Sequence, residues 1–149
     1  MNLAAIGVRA RLKSLDPPAL MKSLEAGEPT LFRMAWLADY PDPDAFLRPT
    51  LHSASGPAEG NFARYANPAV DNLIDRAQGL QNQAERLALY RQAQRLAVED
   101  ACWLFLYFYG DEALVKPHVK GLSLPALGEF LAPLTNVEIA PSLSAAAGY

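Results

Sequence analysis

A carboxylate follows a large aromatic residue in the stretch WLADYPD, which spans residues 36–42. Residues 30–36 have the composition of a β-strand, and Pro41 and Pro43 prevent that strand from continuing. Asp39 is therefore predicted at the carboxyl end of a strand, where open α/β sheets bind ligands. A carboxylate in that position predicts a cationic ligand group. Taken alone, Asp39 would be interpreted as a solvated turn residue or a local cap.

The residues before this stretch predict a second strand and a helix. Residues 6–12 alternate apolar and polar side chains, as a half-buried strand does. Asp16, with two prolines after it, starts a short helix that ends near Ala26 with Gly27 as its C-cap. The two strands and this helix together form a predicted β-α-β unit.

Two longer helices are predicted beyond a surface loop at residues 41–65, which has one helical turn near residues 45–47. Asn67 caps the first helix, and Asn82 with Glu85 resembles a capping box for the second. Each helix has an apolar stripe, formed by Val70, Leu73, Ile74 and Ala77 in the first and by Leu87, Tyr90, Ala93, Leu96 and Ala97 in the second. The opposite face of the second helix is interpreted as solvated charge and polarity: Arg86, Arg91, Gln92 and Arg95.

The C-terminal third is predicted to add strands. The apolar run Ala101–Tyr109 predicts a buried strand, since it is far shorter than the about 20 residues that span a bilayer. Shorter strands are predicted at residues 113–115, 119–122 and 136–139. The expected fold class is α/β, with a mixed sheet and flanking helices in a single domain at residues 1–139. A tail at residues 140–149 follows it.

The composition excludes several classes of function. With 149 residues, 51% hydrophobic and 19% charged residues and a net charge of −3, the chain has the profile of a soluble globular protein. No basic patch predicts binding to nucleic acid. The single cysteine, Cys102, cannot form an internal disulfide and is interpreted as a core residue. No signal peptide is predicted, which indicates either a cytoplasmic protein or a truncation at Met1.

No catalytic, metal or cofactor site is predicted. His52 and His118 do not lie in a recognisable nucleophile motif. Asp39, Asp42 and Asp44 lack the central glycine and closing glutamate of a calcium loop. We therefore expect a binding protein rather than an enzyme.

Five ordered motifs connect these predictions. They are WxADY at residues 36–40 with Asp42-Pro43, YxNPxxDxLI at 65–74, RxxLY at 86–90, the apolar run at 101–109 and LVKPxVxG at 114–121. Together they resemble the C-terminal part of the peptide/nickel solute-binding family of ABC importers, with the nearest likeness to oligopeptide-binding proteins. The fold that this resemblance implies is a partial second lobe of a periplasmic-binding-protein type II-like fold.

The resemblance also implies a biological setting. It implies a bilobal receptor in the periplasm, or otherwise outside the cytoplasm, that closes over a peptide and passes it to an ABC permease in the membrane. The chain would then be truncated and its N-terminal lobe missing, and the uncovered apolar surface would favour self-association. Because two lobes enclose the ligand, the chain alone is expected to bind peptide weakly or not at all.

Individual site residues follow from the same resemblance. Asp39 would pair with the α-ammonium of the peptide, Trp36 would wall the pocket, and the backbone around Leu37 would bond the main chain of the peptide. Arg33 matches an arginine that can meet a carboxylate of the ligand. Ala35 departs from the family pattern, because it replaces the glycine that usually precedes the tryptophan and adds a methyl group there.

Two other functions stay open at this point. A receptor of the same family for a nickel chelate, haem or a sugar would pair Asp39 with a group other than an α-amine. An independent cytoplasmic interaction domain that starts naturally at Met1 is the third interpretation.

Overall fold

The structure is a computed structural model that describes residues 3–108, 110, 112–125 and 132–141. The chain divides into two compact units, Met1–Met34 and Ala35–Tyr149. Most of the predicted tail, residues 142–149, lies outside the described residues, as does Tyr109 at the end of the predicted buried strand. Among the described residues, no helix has the length and apolar character needed to cross a membrane.

The first unit contains helix α1, Pro17–Ala26, which confirms the predicted helix at both ends. The Asp16 carboxylate accepts a hydrogen bond from the backbone N–H of Ala19 at 2.8 Å, so it caps the first turn. Gly27 ends the helix in the left-handed conformation, with φ of 71°, which glycine adopts without steric cost. The predicted strand at residues 6–12 is not formed, and the chain before it makes a 3-10 helix at Leu3–Ile6.

The described part of the second unit contains three α-helices: α2, Asp44–Leu51; α3, Pro68–Gln78; and α4, Gln83–Glu99. A 3-10 helix at Pro57–Glu59 lies between α2 and α3. The predicted caps of the longer helices are confirmed, since the Asn67 side chain accepts from Ala69 N at 2.9 Å and Asn82 accepts from Ala84 N at 3.0 Å. Helix α2 is longer than the single turn that the sequence predicts.

Helices α2, α3 and α4 bury one apolar core between them. Its central residues are six members of the predicted stripes of α3 and α4, with one leucine of α2: Leu51, Val70, Ile74, Ala77, Tyr90, Ala93 and Ala97. The alanines let the helices pack closely, and Tyr90 supplies most of the volume from α4. The predicted apolar stripes are therefore confirmed as the core-facing sides, with Leu73 and Leu96 partly buried, except for Leu87, which is not part of the core cluster.

The sheet is small. Strand β1, Val119–Lys120, pairs antiparallel with strand β2, Glu138–Ile139, with Val119 opposite Ile139. The mixed α/β class and these two strands are confirmed, but other predicted strands are not formed in the part of the chain that the structure describes: residues 6–12, 30–36, 101–108 and 113–115. A strand needs a lateral hydrogen-bonding partner, which composition alone does not supply.

The predicted burial of the apolar run at residues 101–109 is also wrong for its described part. Leu104–Phe108 are each between 58% and 101% exposed. Only the start of the run, Cys102 and Trp103, packs against the helical core. The Cys102 thiol donates to Ala97 O at 3.4 Å, which agrees with its interpretation as a core residue.

Candidate functional site

The segment Trp36–Asp39 has irregular backbone with alternating burial. Trp36 is half-buried and Ala38 is buried, whereas Leu37 and Asp39 are exposed. Within the described residues, the backbone N–H and C=O groups of these four residues have no hydrogen-bond partner. The segment therefore has strand-like alternation and unused backbone donors and acceptors, but no neighbouring strand.

Trp36 fastens the start of this segment to helix α2. Its indole Nε1–H donates to Ala45 O at 2.8 Å, and its ring packs against Gly60. A Cβ on Gly60 would lie 2.5 Å and 2.7 Å from Trp36 Cζ3 and Cη2, and the φ of Gly60 is +125°. The two side chains thus differ in burial: the Trp36 ring packs against the protein, whereas the Asp39 side chain is exposed to solvent.

Arg86 holds the chain three residues beyond this segment, at Asp42. Its guanidinium donates to both Asp42 oxygens, from Nη1 to Oδ2 at 2.5 Å and from Nη2 to Oδ1 at 2.7 Å. These hydrogen bonds lower the pKa of Asp42 below its usual value, against the smaller effect of burial. The side chain of Arg86 is only 15% exposed, so its interpretation as solvated charge is wrong. Its neighbours Arg91 and Arg95 are exposed, as predicted.

Tyr90 connects this ion pair to the core. Its hydroxyl donates to Asp44 Oδ1 at 2.8 Å and accepts from Arg86 Nη2 at 3.2 Å. The guanidinium carbon of Arg86 lies 4.9 Å from the centroid of the Tyr90 ring, which is cation–π geometry. Burial, followed by the hydrogen bond to Asp44, raises the pKa of Tyr90, so the phenol stays protonated at neutral pH.

Asp39 lies between these two anchors. Its carboxylate is exposed, and it makes no hydrogen bond or ion pair within the described residues. Asp42 and Asp44, by contrast, are both satisfied by side chains of α4. Of the predicted site residues, Trp36, Leu37 and Asp39 share one segment of the second unit, while Arg33 is an exposed residue of the first unit.

A second polar cluster joins α2 to α3. Nε2 of the buried His52 lies 3.2 Å from Asp75 Oδ1, and Nδ1 accepts from Ala54 N at 3.0 Å, which leaves the proton on Nε2. Arg48 Nη2 also donates to Asp75 Oδ1, at 3.0 Å. The cluster has the hydrogen-bonding pattern of a helix-to-helix connection. The described residues contain no group of three or more His, Cys, Asp or Glu side chains arranged to hold a metal ion.

Comparison with known proteins gives several partial matches. The chain is 36% identical over 127 residues to probable di/tripeptide-binding protein 5 of Pseudomonas aeruginosa (strain UCBPP-PA14), covering 85% of this chain and 24% of the relative. It is 36% identical over 118 residues to heme-binding protein A of Haemophilus influenzae, covering 79% of this chain and 21% of the relative. No protein-family model matches the chain.

A solved structure matches the fold. It is the ABC transporter-associated periplasmic binding protein DppA from Helicobacter pylori in complex with peptide STSA, with a TM-score of 0.61 and 33% sequence identity. The match covers 67% of this chain and 20% of that one. The chain belongs to the peptide/nickel-binding family of solute-binding proteins. The predicted family and fold class are thereby confirmed. The chain spans about a quarter of the length of the di/tripeptide-binding relative.

Proposed function

We propose that this chain is part of the substrate-binding component of an ABC importer for peptides, and that Asp39 pairs with the α-ammonium of the peptide. The observation that carries the proposal is the exposed Asp39 carboxylate, which has no partner within the described residues although the segment around it is anchored. The two relatives compared above by sequence are named as binding proteins, in agreement with a function in binding rather than catalysis.

The backbone of the segment supplies the first part of the interaction. Trp36–Asp39 present N–H and C=O groups without partners in the described part of the chain. An extended peptide can pair with such a segment as an added strand, through main-chain hydrogen bonds that do not depend on its side chains. Recognition through Leu37 N–H and C=O would therefore accept peptides of many sequences, and the half-buried Trp36 would wall one side of the pocket.

The charge of Asp39 supplies the second part. A hydrogen bond between charged groups contributes about 1.5–3 kcal/mol, which corresponds to about 10- to 150-fold in affinity. This interaction requires a free α-ammonium, so it fixes the register of the peptide by its N-terminus. Arg33 is proposed to meet a carboxylate of the ligand, at a position that the family resemblance assigns to this role.

The setting of this function is also a proposal. By analogy with the periplasmic relative from Helicobacter pylori, we place the protein in the periplasm, where it would deliver its ligand to a membrane permease. An N-terminal lobe, outside the quarter of the relative's length that this chain spans, would close the other side of the ligand. Binding by this chain alone is accordingly expected to be weak.

Peptide binding is best tested by NMR, which detects weak complexes. We would titrate the ¹⁵N-labelled chain with Ser-Thr-Ser-Ala and with its N-acetylated form, for the wild type, Asp39→Asn and the exposed control Glu99→Gln. Free peptide is expected to shift the Trp36 indole and the Leu37 to Asp39 amide signals. In this chain alone, where Asp39 is exposed to solvent, acetylation and Asp39→Asn should each lower the affinity by about two- to fivefold without an additive effect, and Glu99→Gln should match the wild type. Equal binding of free and acetylated peptide would contradict the role of Asp39.

A second ligand class is favoured by the haem-binding relative, which is as similar in sequence as the di/tripeptide-binding one. Haem has two propionate groups, and a carboxylate such as Asp39 would repel them. Titration of the same variants with hemin separates the two functions. A haem receptor would bind hemin at least as well after Asp39→Asn and would show no preference for free over acetylated peptide.

We also propose that the chain associates with a second copy of itself through Leu104–Phe108. These five consecutive residues are apolar and exposed, and within the described residues they belong to no sheet. A run with high β-propensity and without charge or proline favours pairing with an identical run. Covered aromatic side chains each bury about 150–250 Å², so Phe105, Tyr107 and Phe108 from each copy would supply much of the about 800 Å² per partner in a standard interface.

The mass of the chain in solution tests this association. Light scattering during gel filtration is expected to show dimers or larger species that dissociate on dilution. Leu106→Asp should shift the population to the monomer because it places a charge inside the apolar run. Leu12→Asp, at a leucine that is 98% exposed outside the run, is the matched control and should leave the mass unchanged. A monomeric wild type at all concentrations would contradict the proposal.

A further inference from the structure

We infer that Arg86 is a positioning residue for the Asp39 carboxylate, which it controls through Asp42. The inference rests on the proposed function, because it assigns to Arg86 a role in the recognition of a free α-ammonium. Arg86 begins the RxxLY motif, to which the family resemblance assigned no role in ligand binding. Its side chain is 15% exposed and is paired with Asp42, so it does not offer a free charge to a ligand.

The link between Asp39 and Asp42 is short and stiff. Only Tyr40 and Pro41 separate them, and the ring of Pro41 fixes its φ near −65°. A hydrogen bond of 2.8 Å from Asp42 N to Tyr40 O closes a tight turn over the same residues. Because the link is short and stiff, a movement of Asp42 also moves Asp39.

Asp42 is held by a contact that only arginine can make in full. The two parallel hydrogen bonds from Nη1 and Nη2 fix the carboxylate in its plane as well as in position. Lysine would keep the charge but offer a single point contact. The Asp42 carboxylate also accepts from Asp44 N at 2.8 Å, so it joins the segment to the first turn of α2.

Arg86 is itself held in place by the aromatic ring of Tyr90. It stacks on Tyr90, whose ring is only 2% exposed and belongs to the helical core. The chain of contacts therefore runs from the core through Tyr90 and Arg86 to Asp42, and then along two residues of backbone to Asp39. At the other end of the segment, the bond from Trp36 to Ala45 O provides the second fixed point. Asp39 is thus preorganised although no other described residue bonds to its carboxylate.

The test compares Arg86→Lys and Asp42→Asn with Arg91→Lys, an exposed arginine of the same helix. Two quantities are measured on the full chain: the ¹⁵N order parameters of residues 37–40 without ligand, and the ratio of affinities for free and N-acetylated Ser-Thr-Ser-Ala. Both test variants should lower the order parameters towards the flexible range below about 0.6. They should also remove most of the preference for the free over the acetylated peptide, because a carboxylate that is no longer held in place pairs less well with the α-ammonium. Affinity for the acetylated peptide and the far-UV circular dichroism should not change.

The outcomes separate the two proposals. If Asp39→Asn removes the preference for free peptide but both test variants keep it, Arg86 does not position Asp39. If both peptides weaken equally in Arg86→Lys and Asp42→Asn, the ion pair has a general structural role and the inference is wrong. If the wild type shows no preference, the proposed function fails, and the order parameters alone then report whether Arg86 orders the segment. Unchanged order parameters would also overturn the inference.

Discussion

Replacement of Ile74 by alanine is expected to lower the free energy of unfolding by about 2–5 kcal/mol, the range for an isoleucine-to-alanine change in a closed core. Ile74 is 0% exposed and lies in the cluster formed by α2, α3 and α4. The residues that α4 contributes to this cluster include Ala93 and Ala97, whose methyl groups are too small to fill the cavity. The measurement is urea denaturation followed by circular dichroism at 222 nm.

Val98→Ala is the matched control for this prediction. Val98 is on α4 but is 50% exposed, so the loss of its two methyl groups, one carbon fewer than Ile74→Ala removes, should change the free energy of unfolding by less than about 0.5 kcal/mol. A loss below about 1 kcal/mol for Ile74→Ala, or equal losses for the two variants, would show that the three helices do not enclose this side chain.

Gly60→Ala is expected to be the most harmful small substitution near the site. The added Cβ would lie 2.5 Å from Trp36 Cζ3 and 3.2 Å from the Pro49 carbonyl oxygen, so the indole must move. The φ of +125° is also unfavourable for alanine. Overpacking and backbone strain each cost about 1–3 kcal/mol, and we expect a total loss of about 3 kcal/mol in the free energy of unfolding.

Gly79→Ala provides the comparison for Gly60→Ala. The φ of Gly79 is −78°, and the nearest atom to an added Cβ is 3.8 Å away, which is ordinary contact. This control should be neutral or stabilising by about 0.4–1 kcal/mol. Trp36→Phe removes the distal ring atoms, and a double-mutant cycle with Gly60→Ala should then recover the steric part of the loss. If Gly60→Ala and Gly79→Ala behave alike, Trp36 does not pack on Gly60.

The ends of the helices could be predicted from the sequence because their signals are local. Asp16 and Gly27 cap α1, and Asn67 and Asn82 cap α3 and α4, each through a bond to a backbone group within three residues. The apolar stripes repeat with the period of the helix, so the core-facing sides were predictable as well. Family membership could also be predicted, because it depends on the order of motifs along the chain.

The candidate site was only partly predictable. The stretch at residues 36–42 identified Asp39 and Trp36, since a carboxylate beside an aromatic residue is visible in the sequence. The ion pair of Arg86 could not be predicted, because its partner Asp42 is 44 residues away in the sequence. Together with Arg91, Gln92 and Arg95, Arg86 has the spacing of an exposed helix face. The one available signal was the RxxLY motif, which places Tyr90 on the apolar stripe and Arg86 one turn before it.

The sequence by itself determined the helices, their core-facing sides and the residues of the binding stretch, because these depend on neighbours within a few positions. Tertiary structure alone decided which apolar runs became strands and which charges became paired. Leu104–Phe108 has the composition of a buried strand, yet it is exposed because the described residues provide no strand beside it. Two kinds of contact need segments that are far apart in the sequence: hydrogen bonds between strands and ion pairs between distant side chains. They form only when folding brings those segments together, so the local sequence does not identify the partner.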